Sequence, residues 1–505
     1  MGRSEKALKN VSTGLINKAA IMLLSFATKT IFIRLLGAEY NGVHSLYTNI
    51  LSVLALAELG LGNVLMFYLY SAIEQKDTKR ISALINEFRV IYNKIIIFIL
   101  AVGLALVPFL KYLISSELDS NKLLLYYILY LINSVASYFV VYRTMLLRAD
   151  QKEYIVNNCN TIATITMYCL QLIYLFSFRD FLGYLLIQVL CTISNNLIQN
   201  HIALNKYPYL RENYSLRIKD EEKKDIFKNV KATFIFKVSD TILDQTDNII
   251  ISVMFGTIVV GFYANYYLII AYLVQIASIF VSGLIASFGN LYASGNDERS
   301  YEMIKCFLLF FSFFATICIS CYASVVQDFI PIWVGSQYVM SFDLVVAVLF
   351  VFYIRMVTNT VWMCRSTMGL FKEVQYVNLA AAVMNVILSI LLGKLFCVSG
   401  VIFATGVSRL VTSFWYEAIM VFRKIHKKPS DYFVTQIKHL TTSIVIVFAS
   451  FYINSLFSTN GLLIIALKIF ICLSATILLE SLFYHNTAEY RVLLNRLLRL
   501  VPLKH

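Results

Sequence analysis

Three carboxylates stand one helical turn apart in an otherwise apolar stretch of this sequence. Residues 237–256 read KVSDTILDQTDNIIISVMFG, in which Asp240, Asp244 and Asp247 share one helix face and Lys237 lies one turn earlier. Carboxylates this close repel one another in a poorly solvated site, so at least one resists ionisation. The spacing therefore indicates a site that couples to a cation, by binding and releasing a proton or a sodium ion.

A second set of charges in apolar sequence is cationic. Lys18 and Lys29 are eleven residues apart, which is three helical turns and nearly the same face. A charge at mid-bilayer costs about 2.5–3.5 kcal/mol on insertion scales unless it reaches water or a partner, so such charges are functional candidates. Glu58, in the segment AELGLGN, is a candidate for gating, and Lys237 is a candidate charge partner for the carboxylates.

The elements that carry these residues are predicted to be membrane spans. The chain has 505 residues, 59% hydrophobic and 14% charged, whereas soluble proteins carry about 25% charged residues. Apolar stretches of bilayer length, about 20 residues, recur from end to end. We predict an all-α, polytopic membrane protein with about 14 transmembrane helices, near residues 11–36, 43–70, 88–114, 122–147, 157–178, 181–203, 229–255, 261–293, 302–330, 341–366, 374–395, 398–422, 432–457 and 460–484.

The distribution of Lys and Arg predicts the orientation of these spans. With the amino terminus in the cytoplasm, most of the 43 basic residues fall on the inside, and outside there are only Lys111, Lys122, Arg179 and Lys394. Both termini are therefore expected to be cytoplasmic. The net charge of +14 is then explained by topology and contact with anionic lipid, and no nucleic-acid partner is expected.

An internal repeat divides the chain. With an offset of 219 residues, ten of the forty-one positions in 10–50 are identical to those in 229–269, including Gly37 with Gly256 and Gly42 with Gly261. Six spans per copy make the repeat parallel, the arrangement of transporters in which one lobe rocks against the other. The predicted organisation is an N-lobe at 1–208, a cytoplasmic linker at 209–228, a C-lobe at 229–430, two extra spans at 431–485 and a basic amphipathic tail at 486–505.

The sequence lacks the constellations of an enzyme. Its six histidines lie far apart, and no P-loop, nucleophile elbow or zinc spacing is present. Cys318 and Cys321 form a C-x-x-C within an apolar span, without histidine partners, which is more typical of small residues in membrane helices than of a metal site. We predict a protein that is not an enzyme and has no resident metal or cofactor.

Several segments resemble a known family of transporters. These are FIRLLGAEYNGVHSLYTNILSVLALAELGLGNVLMFYLY at 32–70, TDNIIIS at 246–252, IPIWVGSQY at 330–338, the R-x9-R-x3-G-x2-K pattern that starts at Arg355, and residues 378–408. Over roughly residues 1–430 the chain resembles the Wzx-type polysaccharide repeat-unit flippases of the multidrug/oligosaccharidyl-lipid/polysaccharide (MOP) exporter superfamily. The resemblance implies two lobes around a central cavity and alternating access.

The resemblance also implies a location, the inner membrane of a bacterium, and a substrate, undecaprenyl-diphosphate carrying a short oligosaccharide. The substrate would be moved to the outer leaflet for assembly of capsule, O-antigen or exopolysaccharide. Basic side chains are the expected partners of a diphosphate, which assigns Lys18, Lys29, Arg355 and Arg409 to the head group. A polysaccharide polymerase and a chain-length regulator are candidate partners, and the two-lobe repeat is expected to work as a monomer in the lipid bilayer.

The related lipid II flippases hold sodium with their seventh, eleventh and twelfth spans. Carried over to this sequence, the ion-coupling positions are Asp240 or Asp244, with Asn378 or Asn385, and Thr405. A possible coupling ion is therefore Na⁺ or H⁺, and membrane potential alone is a third possible drive. Lysines replace the arginines of the lipid II flippases in the first span, which argues against lipid II itself as the substrate.

Two other functions compete with this interpretation. A multidrug/cation antiporter of the MATE type belongs to the same superfamily, but its cationic cargo favours an acidic or apolar cavity, against which Lys18 and Lys29 argue. A non-transporting scaffold of a polysaccharide assembly complex would leave export intact when the three aspartates are neutralised. The lysines and aspartates themselves also have an alternative role: instead of binding substrate or ion, they could form a structural Lys–Asp clasp between the lobes.

Overall fold

The structure, a computed structural model, describes residues 3–55, 61–212, 216–218, 220, 222–224, 226, 239, 241–243, 245–457 and 461–500, and every regular element in these ranges is helical. The first eleven α-helices are α1 (Arg3–Leu36), α2 (Ala38–Leu54), α3 (Leu61–Glu74), α4 (Thr78–Ala105), α5 (Leu110–Leu113), α6 (Ser120–Ala136), α7 (Val141–Ala149), α8 (Glu153–Phe178), α9 (Phe181–Lys206), α10 (Tyr209–Glu212) and α11 (Asp247–Phe255). The remaining eight are α12 (Thr257–Ala293), α13 (Asp297–Trp333), α14 (Phe342–Thr367), α15 (Phe371–Val411), α16 (Ser413–Lys424), α17 (Pro429–Ser455), α18 (Leu462–Tyr484) and α19 (Ala488–Leu500).

The helices confirm the prediction of an all-α, multi-pass membrane protein. Ten segments of the described chain are long and apolar enough to cross a bilayer. One of these segments, Glu373–Lys424, is 52 residues long and contains two of the predicted spans. The figure of 14 spans stays a prediction.

Polar residues fix where several of these helices begin. A side-chain oxygen just before the helix accepts a backbone N–H of the first turn, which would otherwise lack a partner. Four helices begin in this way, with Asp77 before α4, Asp119 before α6, Asp180 before α9 and Asn296 before α13. Short polar loops thus end one span and start the next.

Contacts divide the chain into two units, residues 1–261 and 262–505, and the division falls within α12. In the first unit, α8 packs against α1 and α9, and α9 also packs against α6. In the second unit, α13 is the central helix, with α14, α17 and α18 packed around it. The lobe and linker boundaries expected from the repeat stay a prediction, because much of 213–238 falls outside the described residues.

The repeat predicted from the sequence has a local counterpart within the first unit, where the start of α2 crosses the start of α12. A Cβ atom on Gly42 would lie 1.9 Å from the carbonyl oxygen of Thr257, and one on Gly261 would lie 2.0 Å from that of Ala38. The two contacts are reciprocal under the 219-residue offset. Asn41 supports the crossing by donating Nδ2 to the carbonyl oxygen of Gly261, at 2.8 Å.

One tyrosine in each unit makes an equivalent hydrogen bond between helices. Tyr47 and Tyr266, also related by the offset, are both fully buried. The Tyr47 hydroxyl donates to the carbonyl oxygen of Leu123 in the first turns of α6, at 2.8 Å. The Tyr266 hydroxyl accepts from the backbone N–H of Met340, just before α14, at 3.0 Å. Each tyrosine therefore ties the second helix of its repeat to the start of the fourth predicted span.

Candidate functional site

Lys29 lies on α1 beside a cluster of aromatic rings in the first unit. Its Nζ is 5.1 Å from the centre of the Phe32 ring, within the range of a cation–π contact. The Phe32 ring in turn lies 5.0 Å from Tyr184 and 5.7 Å from His44, centre to centre. In the described part of the chain, no carboxylate lies within ion-pairing distance of the half-buried Lys29. Lys29 therefore contacts an aromatic ring and, within the same described residues, forms no ion pair.

Lys18 shares a helix with Lys29 and is exposed. Since α1 is continuous from Arg3 to Leu36, eleven residues separate the two lysines by about 16 Å along the axis, on nearly one face. The structure therefore places them along a single stripe of one rigid helix. Their assignment to the substrate head group stays a prediction.

Most of the acidic stripe of residues 237–247 lies outside the described residues. This is the case for Asp240, Asp244 and Lys237, and also for Glu58, so their predicted roles are untested. Asp247 is half-buried in the first turn of α11.

The two arginines predicted for the head group belong to the second unit. Arg355 lies in the middle of α14 and Arg409 near the end of α15, and both are half-buried. Each is engaged in interactions with its surroundings. Their assignment to a diphosphate stays a prediction.

Two of the predicted ion-coupling residues are brought together by a bend in α15. Phe396 and Cys397 have non-helical backbone angles, so that α15 consists of two legs joined by a two-residue turn. Asn385 on the first leg donates Nδ2 to the hydroxyl of Thr405 on the second, at 2.8 Å. Both side chains are buried, at 0% and 4% exposure. Asn385 and Thr405 each carry a side-chain oxygen, the type of ligand that a hard cation such as Na⁺ prefers.

Asn378, the alternative to Asn385, lies in a different environment. With its amide turned to satisfy its neighbours, Nδ2 is 3.3 Å from Oε1 of Glu417 and Oδ1 is 3.3 Å from Nη1 of Arg365. Arg365 itself donates to Glu417 at 2.8 Å. A guanidinium repels a cation, so of the two asparagines Asn385 has the more suitable surroundings for a coupling ion.

The cluster of Arg365, Glu417 and Asn378 was missed by reasoning from the sequence. Arg365 is part of the R-x9-R pattern, and a charge in an apolar segment, such as Glu417, usually snorkels or pairs with a near neighbour. The two are 52 residues apart in the chain, which no spacing rule connects. The signal available was the presence of both charges in apolar segments, each of which requires a partner.

Lys468 and Glu480 are two further charges in apolar segments, where charged side chains usually snorkel or pair with near neighbours. Lys468 on α18 pairs with Asp328 on α13, at 2.9 Å, so its partner is 140 residues away rather than local. Glu480, also on α18, is 3% exposed, and within the described residues its Oε1 has no hydrogen-bond partner. These groups belong to the packing of α13 against α18.

Comparisons with known proteins agree with this architecture. A family model described as "Polysaccharide biosynthesis protein" matches residues 7–290, more than half of the chain. No curated protein gives a significant sequence match.

Solved structures show the fold. The lipid II flippase MurJ, in an inward-closed conformation, is similar with a TM-score of 0.67 and 15% identity, over 93% of this chain and 98% of that one. An inward-facing multidrug resistance MATE family transporter of the MOP superfamily is similar with a TM-score of 0.60 and 13% identity, over 79% and 94% of the two chains. Identities this low speak for the fold alone. Together with the family match, they confirm the predicted resemblance: the chain belongs to the polysaccharide biosynthesis protein family and has the fold of the MOP superfamily.

Proposed function

We propose that this protein is a flippase that moves undecaprenyl-diphosphate-linked oligosaccharides from the cytoplasmic to the outer leaflet. The observation that carries the proposal is Lys29, a half-buried cation on an apolar helix with no carboxylate partner among the described residues, in a chain of the polysaccharide biosynthesis protein family. A diphosphate is an anion that lipid excludes, and a lysine in the wall of its path lowers that cost.

The neighbouring structures leave two kinds of cargo to separate. MurJ is a lipid II flippase, and the MATE proteins are multidrug transporters. Lys18 and Lys29 favour an anionic head group over a cationic drug, because like charges on cargo and wall repel. The match to the polysaccharide biosynthesis protein family also favours a lipid-linked glycan over a drug as the cargo.

Translocation in proteoliposomes tests this proposal directly. The purified protein is reconstituted with a labelled undecaprenyl-diphosphate oligosaccharide isolated from producing cells, and the fraction reaching the opposite leaflet is followed over time. We expect the Lys18→Gln/Lys29→Gln variant to lose at least tenfold in rate, and Lys29→Arg to retain activity. Lys111→Gln, at an exposed lysine outside this stripe, is the matched control.

Native rates in the double glutamine variant would remove the head-group assignment. Failure of the native protein to move the lipid, together with gradient-driven efflux of organic cations, would favour the antiporter instead.

We further propose that the Asn385–Thr405 pair forms part of a coupling-ion site in the second unit. The same proteoliposomes, given a Na⁺ gradient, a H⁺ gradient or a membrane potential in turn, identify the drive. We expect Thr405→Val to abolish the response to the driving gradient. Thr412→Val is its control, since Thr412 is buried directly after the end of α15 and its hydroxyl donates to the backbone carbonyl of Ser408. An unchanged response in Thr405→Val would exclude this pair.

A further inference from the structure

The first unit contains a cavity of about 390 Å³ among α6, α7, α8 and α9. This volume lies within the range of pockets that bind small molecules, roughly 300–1,000 Å³. All the elements that line it are described, and none of the residues predicted from the sequence to bind substrate or ion belongs to it. Its walls include amides, hydroxyls and one arginine.

The cavity coincides with a break in a membrane span. The apolar segment Ser120–Ala149 is long enough to cross the bilayer, but its helix stops at Ala136 and resumes at Val141. Ser137 and Val140, in the break, line the cavity. Asn196 of α9 donates Nδ2 to the carbonyl oxygen of Ala136, at 2.5 Å, which satisfies one of the exposed backbone groups. Non-helical backbone at membrane depth is tolerated where it lines a cavity, and broken helices commonly mark substrate sites.

Three amides form one connected wall of the cavity. Oδ1 of Asn160 on α8 accepts from Asn195 at 2.9 Å and from Gln199 at 2.7 Å, and Gln199 also donates to Asn195 at 3.0 Å. In the described part of the chain, this leaves Nδ2 of Asn160 as an unused donor and Oε1 of Gln199 as an unused acceptor. A donor and an acceptor on the same wall match the hydroxyl groups of a sugar, each of which donates and accepts.

Arg148, at the end of α7, adds a positive charge to the same cavity. Its Nε is buried and, among the described residues, has no hydrogen-bond partner. The nearest carboxylate in sequence, Asp150, is already engaged by Lys152 and by the hydroxyl of Tyr207, at 2.7 Å. Partial burial alone would raise the pKa of Asp150, but these hydrogen bonds outweigh burial and lower it. Asp150 thus stays charged on its own partners.

We propose that this cavity binds a single sugar residue that carries an anionic group, with the sugar hydroxyls on Asn160 and Gln199 and the anion on Arg148. The inference rests on the proposed function in one respect: the sugar belongs to the glycan being moved. It adds a glycan subsite within the first unit that is separate from the lysine stripe, and it names acidic sugars as the substrate class that the protein favours. A guanidinium recognises carboxylate and phosphate alike, so a uronic acid and a sugar phosphate are the two sources of that anion.

Binding of soluble probes tests this inference without any transport step. The probes are methyl glucuronide, glucose 1-phosphate, methyl glucoside and inorganic phosphate, titrated into the full-length protein in lipid nanodiscs and followed by ligand-observed NMR. We expect both anionic sugars to bind at least tenfold more tightly than methyl glucoside and than inorganic phosphate. The tighter of the two identifies the anion as a carboxylate or as a phosphate.

Variants then assign the binding to the cavity. Arg148→Gln is expected to weaken the anionic sugars tenfold and to leave methyl glucoside unchanged. Asn160→Asp keeps the Oδ1 that Asn195 and Gln199 need but replaces the donor with a negative charge, so it is expected to weaken the anionic sugars most. Asn205→Ala, on the same α9 but outside the cavity, is the control, and melting curves verify that each variant is folded.

Equal affinity for neutral and anionic sugars, or an Arg148→Gln variant that binds like the native protein, would overturn the proposal. Inorganic phosphate binding as tightly as glucose 1-phosphate would overturn the sugar part. The result of this binding test can be distinguished from the result of the translocation test. Translocation without probe binding rejects the subsite and retains the proposed flippase function. Probe binding that depends on Arg148, without translocation, retains the subsite and rejects the function.

Discussion

Arg365 is the largest fully buried side chain in the described structure, and it carries a full charge. Burying an ion costs several kcal/mol even after relaxation, and the cost is offset only when the partner geometry is good and the remaining polar groups are satisfied. Here Glu417 provides the countercharge at 2.8 Å and Asn378 contacts both. The cluster joins α14, α15 and α16 at one point, so it fixes the position of three helices.

Breaking this pair on one side should cost far more than removing it altogether. We expect Glu417→Gln to lose about 3–5 kcal/mol of folding free energy, because it leaves the Arg365 charge buried without a countercharge. The double variant Arg365→Met/Glu417→Leu should recover most of that loss. Thermal melting of the detergent-purified proteins measures both, with Glu302→Gln, at an exposed carboxylate of α13, as the control. A double variant less stable than Glu417→Gln would contradict this account.

Individual residues were predictable from the sequence only where helical spacing relates them. The stripe of Lys18 and Lys29 follows from an eleven-residue interval, and α1 places both on one helix as predicted. Arg365 and Glu417 were not predictable, because their contact depends on how three helices pack. The amide wall of Asn160, Asn195 and Gln199 was missed for the same reason, since asparagine and glutamine in apolar spans carry no charge that draws attention.

At the scale of elements, the crossing of α2 and α12 depends on the absence of two side chains. At Gly42 and Gly261 the obstacle to a Cβ is a backbone carbonyl, which cannot move aside as a flexible side chain does. The sequence offset predicts that the two glycines are equivalent. Only the structure shows that both glycines lie in the same helix crossing, each against the backbone of the other repeat.

Adding a methyl group at this crossing should separate the helices. We expect Gly42→Ala and Gly261→Ala each to destabilise the protein by about 1–3 kcal/mol, the usual cost of overpacking. Gly289→Ala is the matched control, because its Cβ would meet only the Thr367 methyl group, at 3.2 Å. Melting temperatures of the three variants in one detergent make the comparison. A Gly42→Ala variant as stable as Gly289→Ala would show that the crossing can relax.

Element boundaries were predicted less well than element type. The span expected at 122–147 is interrupted at residues 137–140, and the two spans expected at 374–395 and 398–422 share the bent helix α15. Hydropathy averages the apolar character of a window and is insensitive to a break or a bend in the backbone. The break at 137–140 is also where the cavity of the first unit lies, so the least predictable part of the span is the part to which we assign a function.

For the whole molecule, the distribution of basic residues predicts which loops face outward. The turn at Phe396 and Cys397 lies between the eleventh and twelfth predicted spans, so the predicted orientation puts it on the outer side of the membrane. Cys397 is exposed, whereas the thiols of Cys306, Cys364 and Cys472 are buried. Chemical labelling of Cys397 can therefore report on which side of the membrane this turn lies.

We expect a membrane-impermeant maleimide to label Cys397 in intact cells. Labelling should disappear in Cys397→Ser and persist in Cys169→Ser, where the replaced thiol is exposed on the apolar helix α8. Mass spectrometry of the purified protein reads out the modified residue. Modification of Cys397 only after cell lysis would invert the orientation and place both termini outside.

The two-residue turn in α15 also bears on how the protein is made. Only Phe396 and Cys397 separate the two legs of α15. Because this loop is so short, we expect the second leg to insert into the bilayer directly after the first. Gly400 lets the legs touch at once, since any side chain there would meet the carbonyl of Leu392. We expect Asn385 and Thr405 to pair as the two legs insert, so that neither polar side chain meets lipid alone. The two legs would then enter the membrane together as one hairpin rather than as two separate spans.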